Sequence, residues 1–205
     1  FQALEQEEEW STLVELLRQE AARDPSRRRA LLKRSARISL EELADSEQAS
    51  HDLRAVLKEQ PEDAELWADL ATACRAAGDW AGLLQADQEL LTLGPNKEDA
   101  VALRLEMGRV LHQRLRRPEQ AVEQLNLALT LSPHHKEALR RLVEIHTRQE
   151  AWPQAAAAIQ ALLDQEHQRE HLVELYLRQA RILDVGLNDP PGAMEACRRA
   201  LAQDP

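Results

Sequence analysis

Aromatic residues are scarce, at 3% of 205 residues, so any core must be built mainly from aliphatic side chains. Glycine is equally thin, with 6 in the chain, and no alternating apolar–polar run of useful length marks a strand. An all-α fold is the reading that remains. Only two cysteines, Cys74 and Cys197, are present, which excludes a disulfide framework and a zinc knuckle. Each falls on the apolar side of its helix, so both are expected as small core residues. The longest uncharged run, 151–163, is Ala-rich and too short to span a membrane. No signal peptide is recognisable, and the cytoplasm is the expected compartment. The chain begins at Phe1 rather than Met, so it is expected to be a fragment of a longer protein.

Lysine is almost missing too: Lys33, Lys58, Lys97 and Lys136 are the full set, and the other basic residues are arginines. The formal net charge of −10 argues against a nucleic-acid backbone as partner, as does the lack of aromatic stacking platforms. Chemistry-bearing motifs are absent as well. There is no phosphate loop, nucleophile elbow or metalloprotease motif. His167 and His171 share an i, i+4 spacing but have no third ligand. They read as surface histidines, as do His134, His135 and His146. No catalytic residue, metal site or cofactor is expected, and the chain does not read as an enzyme.

What is abundant is helical periodicity. The stretch from Pro118 to Pro133 places Ala121, Val122, Leu125, Ala128, Leu129 and Leu131 at mostly helical spacing. Proline is tolerated in a first helical turn and forbids continuation at the far end. The same design returns at 190–205 and at 46–61. Prolines at 25, 61, 95, 133 and 205 are separated by 36, 34, 38 and 72 residues. The last gap splits near His167 into 34 and 38. Aligning 96–133 with 168–205 gives 13 identities in 38 positions, against roughly a tenth for unrelated sequences, which marks an internal repeat. Trp10, Trp80 and Trp152 stand fifteen residues before Pro25, Pro95 and His167 and are expected to wedge between the two helices of a unit.

The helices follow from this punctuation. Residues 1–9 read as the end of a helix, with Glu7, Glu8 and Glu9 in a bend before Trp10 and a second helix over 11–23. Ser26 is the expected N-cap of a third, 26–43, and a fourth covers 47–59. Helices are expected at 64–77, 80–93, 97–115, 118–133, 134–149, 152–165, 169–187 and 191–203. Links of two to five residues force neighbouring helices to run antiparallel.

The units resemble tetratricopeptide repeats, in a tandem array of bacterial type that alternates 34 and 38 residues. The matching residues in 62–95 are Trp67, Leu70, Ala71, Gly78, Asp79, Trp80, Leu90 and Pro95. In 96–133 they are Gly108, Leu111, Ala121, Ala128 and Pro133, and in 168–205 Ala180, Leu183, Ala193, Ala200 and Pro205. In 134–167 they are Leu139, Leu142, Ala155, Leu162 and Leu163. Gly108, Ala121 and Ala128 are small where two helix axes must approach. Leu83 replaces the usual alanine, His167 replaces a proline, and the extra residues of the long units fit a longer first helix and a longer turn at 115–117. The resemblance implies a right-handed α-solenoid superhelix of antiparallel helix pairs. It would be one array over 1–205: a partial unit 1–25, then 26–61, 62–95, 96–133, 134–167 and 168–205.

It also implies a function: a protein-interaction scaffold whose first helices line a concave groove for a partner peptide or domain. The groove-facing basic residues would be Lys33, Arg34, Arg37, Arg75, Arg109, Arg140, Arg141, Arg178 and Arg181, with Arg37, Arg109 and Arg181 at one place 72 residues apart. Such a set suits an acidic peptide, unless the arginines serve salt bridges within the array. The family's clamp for chaperone tails uses Lys and Asn, and neither Asn96, Asn126 nor Asn188 falls at a groove place. The alternative reading is a structural spacer or self-assembly module, with self-association through open array ends. Neither reading involves a membrane or nucleic acid.

Overall fold

The computed structural model describes residues 2–203, with side chains from Glu9 onward. Among the described residues there are eleven α-helices, one π-helical turn and no strand. The helices are α1 (Gln2–Arg23), α2 (Arg28–Glu41), α3 (Ser46–Leu57), α4 (Ala64–Ala77), α5 (Trp80–Thr92) and α6 (Lys97–Gln113). There follow α7 (Pro118–Leu131), α8 (Lys136–Arg148), α9 (Trp152–Leu163), α10 (Arg169–Arg181), the π turn Ile182–Gly186, and α11 (Pro190–Gln203). The chain forms two compact units, Phe1–Asn96 and Lys97–Pro205. In the first, each helix from α1 to α5 packs on the next. In the second, the same holds from α6 to α11, and the π turn packs against α9 and α11.

Local chemistry sets the helix ends. Asp63 caps α4 by accepting from the Glu65 and Leu66 amides, and Gly78 ends it in the left-handed region at φ 72°. That left-handed residue recurs in every unit. Ala44, Arg116 and Asn188 adopt φ of 51°, 56° and 49°, at steps of 72 residues, and Glu150 at 56° lies 72 residues after Gly78. The closing bonds differ between long and short units. In short units the Asp79 amide donates to Cys74 O and the Ala151 amide to His146 O, each at 2.9 Å and five residues back. In long units the Asp45, Arg117 and Asp189 amides reach six residues back, to Ser39, Leu111 and Leu183, at 2.7, 2.8 and 2.8 Å. The longer turn expected at 115–117 is therefore common to all three long units.

The core is aliphatic. Leu53, Leu66 and Leu83 are the largest fully buried side chains of the first unit, and Leu125, Ile145 and Ile159 of the second. In α7 the buried residues are Ala121, Leu125 and Ala128, while Leu131 is exposed. Gly108 on α6 faces Leu125, and a Cβ there would lie 3.0 Å from the leucine's Cγ. The small residue thus lets α6 and α7 approach, as the repeat pattern requires.

Four expectations are corrected. First, α1 runs unbroken through Trp10, so there is no bend at residues 7–9. Second, Ser26 does not cap α2. Its hydroxyl donates to Asp24 Oδ1 at 2.6 Å, and α2 starts two residues later behind Arg27 with no side-chain cap. Third, Cys74 is buried but Cys197 is exposed, because nothing among the described residues packs on the outer side of α11. Fourth, Trp10, Trp80 and Trp152 are only half-buried, and Trp152 on α9 packs on Gly186 of the following unit. The helix expected over 169–187 also loosens into a π turn at its end.

Candidate functional site

The first helices of the units, α2, α4, α6, α8 and α10, carry the nine basic candidates. In the first unit most of that charge is already answered. Lys33 on α2 is ion-paired to Glu65 and to Asp69 at 3.4 Å, both on α4. The Glu65 carboxylate raises its ammonium above the usual lysine range. Arg29 reaches Asp63 in the same way, Nε to Oδ2 at 2.8 Å. A basic side of α2 therefore rests on the acidic start of α4. Arg37 pairs along its own helix with Glu41 at 3.0 Å, while Arg34 and Arg75 are exposed.

In the second unit Arg109 holds Glu106 through two bonds, Nε to Oε2 at 2.8 Å and Nη2 to Oε1 at 2.6 Å. That bidentate pair raises the guanidinium further above its usual range. His112, one turn further on, is held below its usual range by burial, with Arg148, Arg116 and Arg141 adding to the effect against Glu144.

Between α8 and α10 lies a groove of about 500 Å³ lined by Glu137, Arg140, Arg141, Glu144, His171, Glu174, Leu175 and Arg178. It gathers three of the nine candidates on two consecutive first helices. Arg141 is bonded to Glu137 at 2.6 Å and Arg178 to Glu174 at 2.7 Å, each four residues apart on one helix. Such exposed pairs are worth only about 0.3–0.5 kcal/mol, so an incoming carboxylate can take over either guanidinium at small cost. Arg140 is exposed and in no ion pair among the described residues. Leu175, 8% exposed, supplies an apolar floor. The surface is thus a mixed-charge trough that sets three arginines beside three glutamates.

Arg37, Arg109 and Arg181 share a repeat position but not a setting. The first two are held by carboxylates of their own helices. Arg181 lies at the rim of a different hollow, beside α11. Two features of the groove escape sequence inspection. His171 is exposed, as the surface reading has it, but its spacing does not show that it lines the trough with Nδ1 3.6 Å from Glu166. The carboxylates that partner the arginines are hidden among the many acidic residues, although their i, i+4 spacing is visible.

Among the described residues no group of three or more His, Cys, Asp or Glu side chains is placed to hold a metal ion. No described helix is long and apolar enough to cross a membrane.

A family model for the tetratricopeptide repeat matches residues 38–98 and 110–168. No curated protein sequence matches the chain. Among solved structures, the MamA protein aligns at a TM-score of 0.61 with 14% identity, over 87% of this chain and 93% of that one. YrrB, described as a tetratricopeptide repeat protein with an unusual peptide-binding site, aligns at 0.58 with 15% identity, over 85% and 86%. A tetratricopeptide repeat protein from Parabacteroides merdae aligns at 0.55 with 19% identity, over 84% and 75%. At these identities the likeness is one of fold.

Proposed function

As the chain belongs to the tetratricopeptide repeat family, we propose that it is a protein-interaction scaffold that holds an acidic peptide segment of its partner in the α8–α10 groove. Members of the family are in general scaffolds rather than catalysts. The observation that carries the reading is the convergence of Arg140, Arg141 and Arg178 on one trough. A peptide carboxylate would displace Glu137 or Glu174 from its arginine and engage Arg140 directly, while an apolar side chain settles on Leu175. Binding would rest on a few anchors rather than on total area. The solved relative YrrB, with its peptide-binding site, supports the class of function. Lys33, Arg34, Arg37, Arg75, Arg109 and Arg181 would act, if at all, as secondary contacts along the first helices. A structural spacer or self-assembly module is the alternative, and the exposed apolar face of α11 favours it.

The test is an array of nine-residue peptides graded in Asp and Glu content, probed with the protein at two salt concentrations. Peptides rich in carboxylates should bind best and weaken as salt rises. The triple variant Arg140→Glu, Arg141→Glu, Arg178→Glu should lose at least about tenfold in affinity with helicity unchanged, from three contacts of about 0.5 kcal/mol each. Binding indifferent to acidic content, or kept by the triple variant, would overturn the groove assignment.

A further inference from the structure

The first helices repeat one pattern of burial. Leu31, Leu32, Ser35, Ala36 and Ile38 of α2 are buried. The same set recurs 35 residues on in α4, from Leu66 to Ala73, and 107 residues on in α8, from Ala138 to Ile145. Three of its places recur another 37 residues on, as Leu175, Ala180 and Ile182. This overlay sets Arg140 in the place of Lys33, Glu174 in that of Glu65 and Arg178 in that of Asp69.

The three places are wired differently in the two pairs of helices. Between α2 and α4, Lys33 is ion-paired to both carboxylates, Glu65 and, at 3.4 Å, Asp69. Between α8 and α10 the second carboxylate is replaced by Arg178, which holds Glu174 at 2.7 Å along its own helix. Arg140 is left in no ion pair among the described residues. Glu137 and Glu144 flank it on α8, but both are engaged elsewhere. Glu137 holds Arg141 at 2.6 Å and acts on Arg109 of α6, and Glu144 holds Arg148 at 3.0 Å and acts on His112 of α6. His171, the remaining titratable group of the trough, sets Nδ1 3.6 Å from Glu166. Glu174 therefore stands on α10 at the place from which Glu65 answers the preceding first helix, with Arg178 already on it. Its pair with Arg178 is exposed on both sides, 59% and 53%, and exposed pairs of this kind exchange at small cost.

We propose that Glu174 is an internal competitor for the partner's carboxylate. It takes Arg178, and by turning across the trough Arg140, as the partner's acidic residue would, so it sets how tightly that residue is held. The inference rests on the groove reading and deepens it: of the carboxylates in the trough, Glu174 is the one a bound acidic side chain replaces, beside Leu175.

The probe is a labelled, end-capped nine-residue peptide that alternates Glu with Leu and Gly, beside its Gln counterpart, read by fluorescence anisotropy. Glu174→Gln should tighten the Glu peptide about threefold, with circular dichroism unchanged and no gain for the Gln peptide. Glu144→Gln removes the same charge from the same trough and should bring clearly less. In the Arg140→Gln, Arg178→Gln background, Glu174→Gln should gain no more than Glu144→Gln does, since the arginines through which it competes are gone. Equal gains from the two glutamates in the parent chain would mean a general charge effect and would overturn the proposal. So would wild-type binding that Glu174→Gln leaves unchanged, which would keep the groove reading intact. Failure of the Glu peptide to bind either the wild type or Glu174→Gln would remove the groove reading and this inference with it. A second measurement needs no peptide. In a crystal structure of Arg178→Gln, Arg140 should lie within hydrogen-bond distance of Glu174, as Lys33 does of Glu65. An Arg140 that stays apart from it, or turns to Glu144 instead, would overturn the assignment.

Discussion

The indole of Trp152 occupies the space that a side chain on Gly186 would need: a Cβ built there would lie 2.5 Å from Cγ and 2.6 Å from Cε3 of the ring. Trp152 opens α9 and Gly186 closes the π turn after α10, so this contact joins two consecutive units. Gly186→Ala has to push the ring away or open the turn. Overpacking of this kind costs about 1–3 kcal/mol. A lower urea midpoint, together with a changed near-ultraviolet circular dichroism band for tryptophan, is the expected outcome. Trp152→Leu should remove most of the penalty, so the double variant measures the contact itself.

The recurring left-handed residue gives a prediction of opposite sign. Gly78 and Glu150 occupy the same place in the two short units, at φ of 72° and 56°, with the same pair of closing hydrogen bonds. An L-residue there is strained by its Cβ against the following carbonyl. Glu150 is exposed, so removing its side chain loses no packing. Glu150→Gly should stabilise by about 0.5–1 kcal/mol, the relief exceeding the added chain entropy. Gly78→Ala should destabilise by about as much. Thermal unfolding of the two variants, moving in opposite directions, checks both.

How much of this was legible depends on what each feature leaves in the sequence. The limits of α4 can be read residue for residue, because Asp63 and Gly78 are caps with fixed chemistry. The small residues Gly108 and Ala121 likewise announce a close helix approach, which Leu125 confirms. The π turn after α10 leaves no such mark, since an extra residue inside a helix needs neither Gly nor Pro. Cys197 has the periodicity of a core residue, yet burial of its face takes a further helix, which no pattern within α11 can supply. The first-helix spacing puts Arg140, Arg141 and Arg178 on one surface. It is silent on which carboxylates hold them, because acidic residues outnumber basic ones, 36 to 26.

Helix starts hold an unused increment of stability. Asp45 and Asp79 cap α3 and α5 by accepting from the Gln48 and Gly82 amides, and Asp189 accepts from Gly192 at 3.0 Å. The matching residues Arg117 and Ala151 make no side-chain cap. Ala151 already has φ −79° and ψ 65°, close to the −77° and 79° of Asp79. Ala151→Asp should therefore add about 1 kcal/mol, with a further gain from negative charge at a helix start. A rise in Tm of about 2–4 °C is the readout for a chain of this size.

Glu166 stands at the corner where His167 replaces the proline that closes other units, and it holds that corner by charge. Its carboxylate, 5% exposed, accepts from Lys136 Nζ at 3.0 Å and from the His167 and Gln168 amides at 2.9 and 3.2 Å. α10 has no side-chain cap from Gln168, and the amides that bond Glu166 are the two just ahead of its first turn. Lys136 first, and the two amides after it, lower the carboxyl from 4.5 to about 2. A folded pKa below the unfolded one favours the folded state wherever the carboxylate is ionised in both. The contribution is thus complete above pH 4.5 and is lost as pH falls toward 2. Discounted for the partly exposed Lys136, it amounts to about 2 kcal/mol. Glu166→Gln should lower the urea midpoint at pH 7 and match the wild type near pH 2, so the two stability curves converge on acidification. A gap that stayed constant across that range would mean that Glu166 works through shape and not through charge.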